Sequence, residues 1–316
     1  MKVYLSADIE GTCGICDWSE TERSTRDDYI IYRDQMQREV NAACEAAIAA
    51  GAEYVYVKDA HDSARNLIPM ELPEQVRVHR GWSGDPLSMM SGLDGDQFDA
   101  VFFTGYHAWA SCPGNPLSHT MNLKNNFVTL NGQYMSEFMM NAYTAAYYGV
   151  PVTFLSGDEA LCEFAKELIP GITTVAVNRG VGGAACSIHP AAAVREIREK
   201  AEASLTNLDR CRLTLPDSFE MVVSFKEHRQ AYSRSFYPGA RLLAPTQVAF
   251  SSGDWYEVLR FSRFVLSDCW PVLKTVKGRH RVPALHGLKM ERGRKESFPF
   301  DMFIIVHLLP QVNRPR

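Results

Sequence analysis

The chain has 316 residues, enough for one large or two modest domains, and its 46% hydrophobic and 22% charged residues exclude a disordered or fibrous protein. No apolar stretch approaches the ~18 residues that span a bilayer, and "MKVYLSADIE" places acids where a signal peptide needs an apolar run, so the expectation is a cytoplasmic protein with no membrane partner. The net charge of −4 is uneven: residues 271–316 carry ten Lys/Arg against three Asp/Glu, leaving −11 in the first 270, but that basic segment lacks aromatic interleaving and reads as a solvated extension with no nucleic-acid partner.

In chain order, "KVYLSAD" reads as a buried strand. Residues 26–52 follow with apolar side chains at helical spacing, Thr25 and Asp28 as a capping pair and Gly51 as a stop. "EYVYVKDAHD" is a second strand and, after a polar connection, "DAVFFTGYHA" a third. "NFVTLNGQYMS" predicts a hairpin turning at Asn131–Gly132, and "SEFMMNAYTAAYYG" a helix capped by Ser136. "VPVTFLSGD", "EALCEFAKELI" and "TTVAVN" continue as strand, helix and strand. Strands alternating with helices predict an α/β fold with a largely parallel sheet flanked by helices over residues 1–189. Beyond residue 190 the rhythm changes: a helix at "PAAAVREIREKAEASL", strands at "FEMVVSFK" and "TQVAFSS", and a helix at "DWYEVLRFSRFVL" opened by Asp254 and Glu257. This predicts a second, smaller α+β domain at 190–270, ahead of the basic extension at 271–316.

Three of these strands end in residues that bind metals. The first ends in Asp8 and Glu10, the second in Asp59 and His61, the third in His107. Open α/β sheets bind ligands outside the carboxyl ends of their strands. On extended chain the side chains of residues 8 and 10 face the same way. His119 lies in the loop after the third strand, and Glu137 opens the helix after the hairpin. Imidazoles and carboxylates in one place suit zinc, manganese or iron(II). Each residue also has a plain structural reading: a turn acid at Asp8, a loop imidazole at His61, an interior one at His107, a helix N-terminal acid at Glu137. Asp59 and Asp62 are candidates for orienting His61. Asn122, Asn141 and Tyr143 are candidate pocket or structural residues.

Cys13 and Cys16 form a C-x-x-C beside the acid pair. A redox dithiol sits where a strand passes directly into a helix, whose N-terminus lowers the thiol pKa. Here the helix begins about ten residues later, and no second C-x-x-C completes a structural zinc site, so the expectation is loop thiols.

The motifs D-x-E-G, D-x-H, G-Y-H-A, S-H and a Glu followed by N-A-Y occur as "LSADIEGTCG", "VKDAHDS", "FFTGYHAWASCPGNPLSHTMN" and "SEFMMNAYTAAYYGVPVTFLSGD". Together, over about residues 1–270, they resemble the binuclear zinc D-aminopeptidases of the DppA type. The resemblance implies two zinc ions per subunit, with Asp8 bridging them and Glu10, His61, His107 and Glu137 completing the two sites. It implies His119 as the residue that the family assigns as nucleophile, and a homodecamer. Because activated water already supplies a nucleophile, His119 is read here as acid or oxyanion donor. The expected substrate is a short peptide with a D-residue at its N-terminus, of the D-Ala-D-Ala kind. The alternatives are a metal-dependent amidohydrolase on a non-peptide amide and a peptide-binding component of a transporter. The resemblance ends near residue 270.

Overall fold

The computed structural model describes residues 1–266; the extension 271–316 expected from the sequence, and the residues just before it, lie outside them. Six strands form the parallel part of one sheet: β1 (Lys2–Ala7), β2 (Tyr54–Asp59), β3 (Val76–His79), β4 (Ala100–Tyr106), β7 (Val152–Asp158) and β8 (Thr173–Val181). With β9 (Ala184–Ser187), which runs antiparallel to β8, their order is β3-β2-β1-β4-β7-β8-β9. β4 and β7 are buried along their whole length, which is why they read as unbroken apolar runs.

The short, half-buried β3 falls in the stretch that the sequence presents as a polar connection. Helices α1 (Arg26–Ala49) and α4 (Pro190–Ser204) share a core with one face of this sheet, where Val40, Ala43 and Ile197 meet Val3, Leu5 and Phe102. α3 (Glu159–Leu168) follows β7 directly, with Asp158 accepting from Leu161 N at 2.9 Å as its cap.

The second sheet is antiparallel, in the order β11-β12-β10-β5-β6. It is built from β5 (Asn125–Leu130), β6 (Gln133–Tyr134), β10 (Phe219–Phe225), β11 (Arg241–Ala244) and β12 (Gln247–Ser252). The β5–β6 hairpin turns at Asn131 and Gly132 with φ of 50° and 83°, the left-handed pair that an Asn-Gly turn supplies. α2 (Glu137–Tyr147) joins the two sheets in one core: Phe138 packs with Phe103 of β4, and Trp255 of α6 (Trp255–Leu266) donates to Thr144 Oγ1 at 3.1 Å. The short helix α5 (His228–Arg234) completes this side.

Two capping expectations fail locally. Thr25 makes no side-chain cap; its hydroxyl instead donates to the Glu22 carbonyl at 2.7 Å. Asp254 accepts from Tyr256 N at 3.0 Å, but Glu257 turns to Arg260 at 2.7 Å instead of closing a reciprocal pair. Ser136 caps α2 as expected, accepting from Met139 N at 3.0 Å.

Candidate metal centre

The sheet order runs outward from β1 in both directions, to β2 and to β4, so the crevice at its carboxyl edge opens there. Asp8 follows β1, His61 follows β2 and His107 follows β4. The chain does not stay extended past Asp8, as the sequence suggested; it turns, with Thr12 N donating to Ile9 O at 2.9 Å. Two glycines make the turn possible. A Cβ on Gly11 would sit 1.8 Å from Tyr106 O, and one on Gly105, whose φ is +68°, would sit 2.2 Å from Asp8 O. The ends of β1 and β4 thus touch backbone to backbone, with Gly11 N donating to Gly105 O at 2.8 Å. This gives the glycines of the D-x-E-G and G-Y-H motifs a physical role.

All six residues singled out from the sequence come together. His61 Nδ1 lies 3.3 Å from Asp8 Oδ1 and 3.0 Å from Glu10 Oε2. His107 Nε2 lies 3.6 Å from Asp8 Oδ2 and 3.7 Å from Glu137 Oε2. His119 Nε2 lies 3.5 Å from Glu137 Oε1 and 3.8 Å from Glu10 Oε1. The two oxygens of Asp8 therefore face two different partner sets, Glu10 with His61 and His107 with Glu137. Glu10, His107 and His119 form a third grouping of possible ligands.

The far nitrogen of each imidazole faces a backbone carbonyl: His61 Nε2 the Thr21 oxygen at 3.0 Å, His107 Nδ1 that of Ala108 at 2.9 Å, His119 Nδ1 that of Leu117 at 3.0 Å. A carbonyl only accepts, so that nitrogen carries the hydrogen. In the neutral ring the other nitrogen then turns a lone pair toward carboxylates. Lone pairs facing carboxylates repel unless a cation lies between them. Asp8 Oδ2, Glu10 Oε2 and His107 Nε2 are all buried without a hydrogen-bond partner. Donors ~2.0–2.1 Å from a tetrahedral zinc stand ~3.3 Å apart, close to the separations seen here. The residues fit a metal.

The same demand for positive charge appears in the protonation of the metal-free site. Burial works against a charged imidazole, but Glu137 and the neighbouring acids overcome it and push His107 up to about 10. His61 is raised well above its ordinary value against burial too, chiefly by Glu10. Despite burial, Glu10 is held low by His61, and Glu137 by His107. Asp8 is driven well up by burial and by Glu10. His119 alone among the three imidazoles is lowered, by burial and by His107, against whose ring it stacks at 4.2 Å.

Asp158 and Asn115 are positioning residues that escaped the sequence reading. Buried Asp158, at the end of β7, accepts from Ala108 N at 2.7 Å and from Asn115 Nδ2 at 3.3 Å. Asn115 also donates to Glu10 O at 3.1 Å and accepts from Leu117 N at 2.8 Å, so it ties the Glu10 turn to the carbonyl that holds His119. An acid closing a fourth parallel strand was the available signal for Asp158; Asn115, inside a loop, gave none.

Asp59 does not orient His61: its carboxylate accepts from Leu67 N at 2.8 Å and Asn66 Nδ2 at 2.8 Å, bracing the following loop. Asp62 contributes its carbonyl, which takes Trp82 Nε1 at 2.7 Å. Asn122 lines the cavity, whereas Asn141 bonds Tyr106 Oη at 2.9 Å and Tyr143 packs on Trp255 in the core. The thiols are structural: Cys13 donates to Ile188 O at 3.1 Å, and burial pushes it up to about 12.

The cluster opens into a cavity of about 410 Å³ walled by Trp18, Trp82, Met89 and Met121. Three imidazoles and three carboxylates at the edge of such a sheet are the donor set of a metal-dependent hydrolase. The family model for D-aminopeptidases (M55 peptidases) matches residues 1–264. A D-aminopeptidase of Bacillus subtilis (strain 168) is 36% identical over 263 residues, covering 81% of this chain and 93% of its own. The solved structure of the Zn-dependent D-aminopeptidase DppA from Bacillus subtilis, described as a self-compartmentalizing protease, superposes with a TM-score of 0.78 at 33% identity, covering 84% of this chain and 96% of its own. The chain belongs to the D-aminopeptidase family and is a peptide hydrolase.

Proposed function

We propose that the chain is a zinc-dependent aminopeptidase that releases N-terminal D-residues from short peptides, using a site for two ions. The observation that carries this is the orientation of the histidines: each is anchored through one nitrogen to a backbone carbonyl and directs the other at carboxylates, and Glu10 Oε2 facing His61 and Asp8 Oδ2 facing His107 lack hydrogen-bond partners. Glu10 and His61 would hold one ion, His107 and Glu137 the other, and Asp8 would bridge them through its two oxygens. When bound, such a pair supplies Lewis-acid polarisation of the scissile carbonyl and acidification of the attacking water.

His119 supplies the proton chemistry. Its Nδ1–H is fixed on Leu117 O, so Nε2 is an acceptor at neutral pH, and burial keeps the ring uncharged. Nε2 takes a proton from the attacking water and returns it to the peptide nitrogen as the C–N bond breaks. This geometry favours proton transfer over oxyanion donation, for which Nε2 would already need a hydrogen. Trp18, edge-on to His119 at 5.2 Å, limits the ring's movement and shields it from bulk water. The self-compartmentalizing relative supports a homo-oligomer; the homodecamer that the family resemblance implies is the assembly proposed. Among the described residues no helix is long and apolar enough to cross a membrane.

His119→Ala tests the assignment. Two zinc ions should remain bound, and kcat should fall by ~10²–10⁴, the range for a general acid–base group. A covalent acyl-histidine trapped in the unmodified enzyme would make His119 a nucleophile. Loss of an ion in the variant would make it a ligand, the role that its grouping with Glu10 and His107 allows.

A further inference from the structure

A second cavity, of about 450 Å³, adjoins the first. Asp62, Trp82, Met121 and Asn122 line both, so the two lie side by side. The halves differ in chemistry. The first is lined by the carboxylates and imidazoles of the candidate metal centre; the second is walled by Pro86, Met140 and Leu266 and, among the residues lining it, carries one cation, Arg263. Arg263 sits in the last turn of α6. Among the described residues its guanidinium makes no ion pair or hydrogen bond.

We propose that the second cavity is the subsite for the leaving residue, and that Arg263 receives the C-terminal carboxylate of a dipeptide. This rests on the aminopeptidase reading. Cleavage of a peptide held with its amino end at the metal cluster puts the departing residue on the far side of the scissile bond. The adjoining cavity, which shares Trp82 with the first, is the space proposed for it. The departing residue of a dipeptide ends in a carboxylate, and a guanidinium is the planar donor that matches it. Arg263 is the cation that lines this second cavity, so the carboxylate is best placed there. The subsite therefore selects peptides ending one residue past the cleaved bond, with a small or apolar side chain against Met140 and Leu266.

The test compares D-Ala-D-Ala with its C-terminal amide, which keeps the scissile bond and removes only the terminal charge. The wild-type enzyme should favour the free acid by roughly ten- to hundredfold in kcat/KM, the span of a charge-assisted hydrogen-bonded contact. Arg263→Gln should remove that preference by raising KM for the acid alone, with kcat within about twofold; Arg263→Lys should restore part of it. Equal wild-type rates on acid and amide would overturn the assignment, as would a loss in Arg263→Gln that falls equally on both. If the zinc-loaded wild type cleaves neither compound, the aminopeptidase reading fails first and this one with it.

Discussion

Zinc uptake should be strongly coupled to proton release, over a pH range set by the buried carboxylates. In the metal-free protein His107 is pushed up to about 10, and His61 is also raised well above the ordinary imidazole value. Both therefore hold a proton at neutral pH, on the nitrogens that face Asp8, Glu10 and Glu137. A metal ion must displace those protons. Glu10 and Glu137 are held low and have none to give; Asp8, driven up by burial, adds to the release in the same direction.

The sign follows: acidification favours the protonated, metal-free state and weakens binding. With two imidazole protons displaced, the overall association constant for two ions should fall ~100-fold per pH unit, about 2.7 kcal/mol. Imidazoles at their ordinary pKa of ~6.5 would instead give a flat dependence above about pH 7.5. Titration calorimetry at pH 7.5 in buffers of different ionisation enthalpy counts the protons. Two or more per pair of zinc ions is the expected result. A count near zero, or an affinity that is flat from pH 7 to 8, would refute the claim that the carboxylates hold these rings charged.

Asp8→Ala should lose both ions together with activity, because its two oxygens face both ligand sets; two full equivalents of zinc in the purified variant would exclude a bridging role. Gly11→Ala must push apart the ends of β1 and β4, since the new Cβ would lie 1.8 Å from Tyr106 O; urea unfolding should show a loss of about 3 kcal/mol, and an unchanged midpoint would mean that this contact is not constraining. Cys13→Ser with Cys16→Ser should leave turnover within tenfold, or ~1.4 kcal/mol of barrier, because burial keeps Cys13 protonated far above neutral pH; a larger fall with zinc retained would bring the thiols back into the reaction.

The site was legible because each part of it is encoded locally. An acid or imidazole directly after an apolar run marks a strand end, and parallel strands deliver their ends to one edge. That places Asp8, His61 and His107 together without knowledge of any contact. The glycines of the same motifs were visible, but their reason was not: Gly11 is required by the backbone of Tyr106, 95 positions away. The second sheet was legible only as separate strands. Its central pairing joins Met221 to Leu130 and Val223 to Val128, and nothing local to either strand names its partner. Asn115 was invisible for a related reason, since its value lies in touching Glu10, Asp158 and Leu117 at once. Thr21 was missed because it acts through its carbonyl, which every residue possesses.

These last cases explain how a site made largely from loops can be held to the tolerance that catalysis needs. The ligand-bearing turns after β1, β2 and β4 have little regular hydrogen bonding of their own. Their order comes from a few groups that each fix several segments. Asp158 fixes the turn after β4 and reaches Asn115; Asn115 fixes the turn after β1 and the approach to His119; Asp59 and Asn66 fix the turn after β2, with Asn66 donating to His61 O at 2.8 Å. All four are buried polar residues, whose bonds are strong in a low dielectric and costly to leave unmade. Positioning thus rests on hydrogen bonds that the protein makes with itself. In the site as described, the acids are balanced by protons on His61 and His107. His119 alone among the three imidazoles is uncharged there, as the proton-transfer role proposed for it requires.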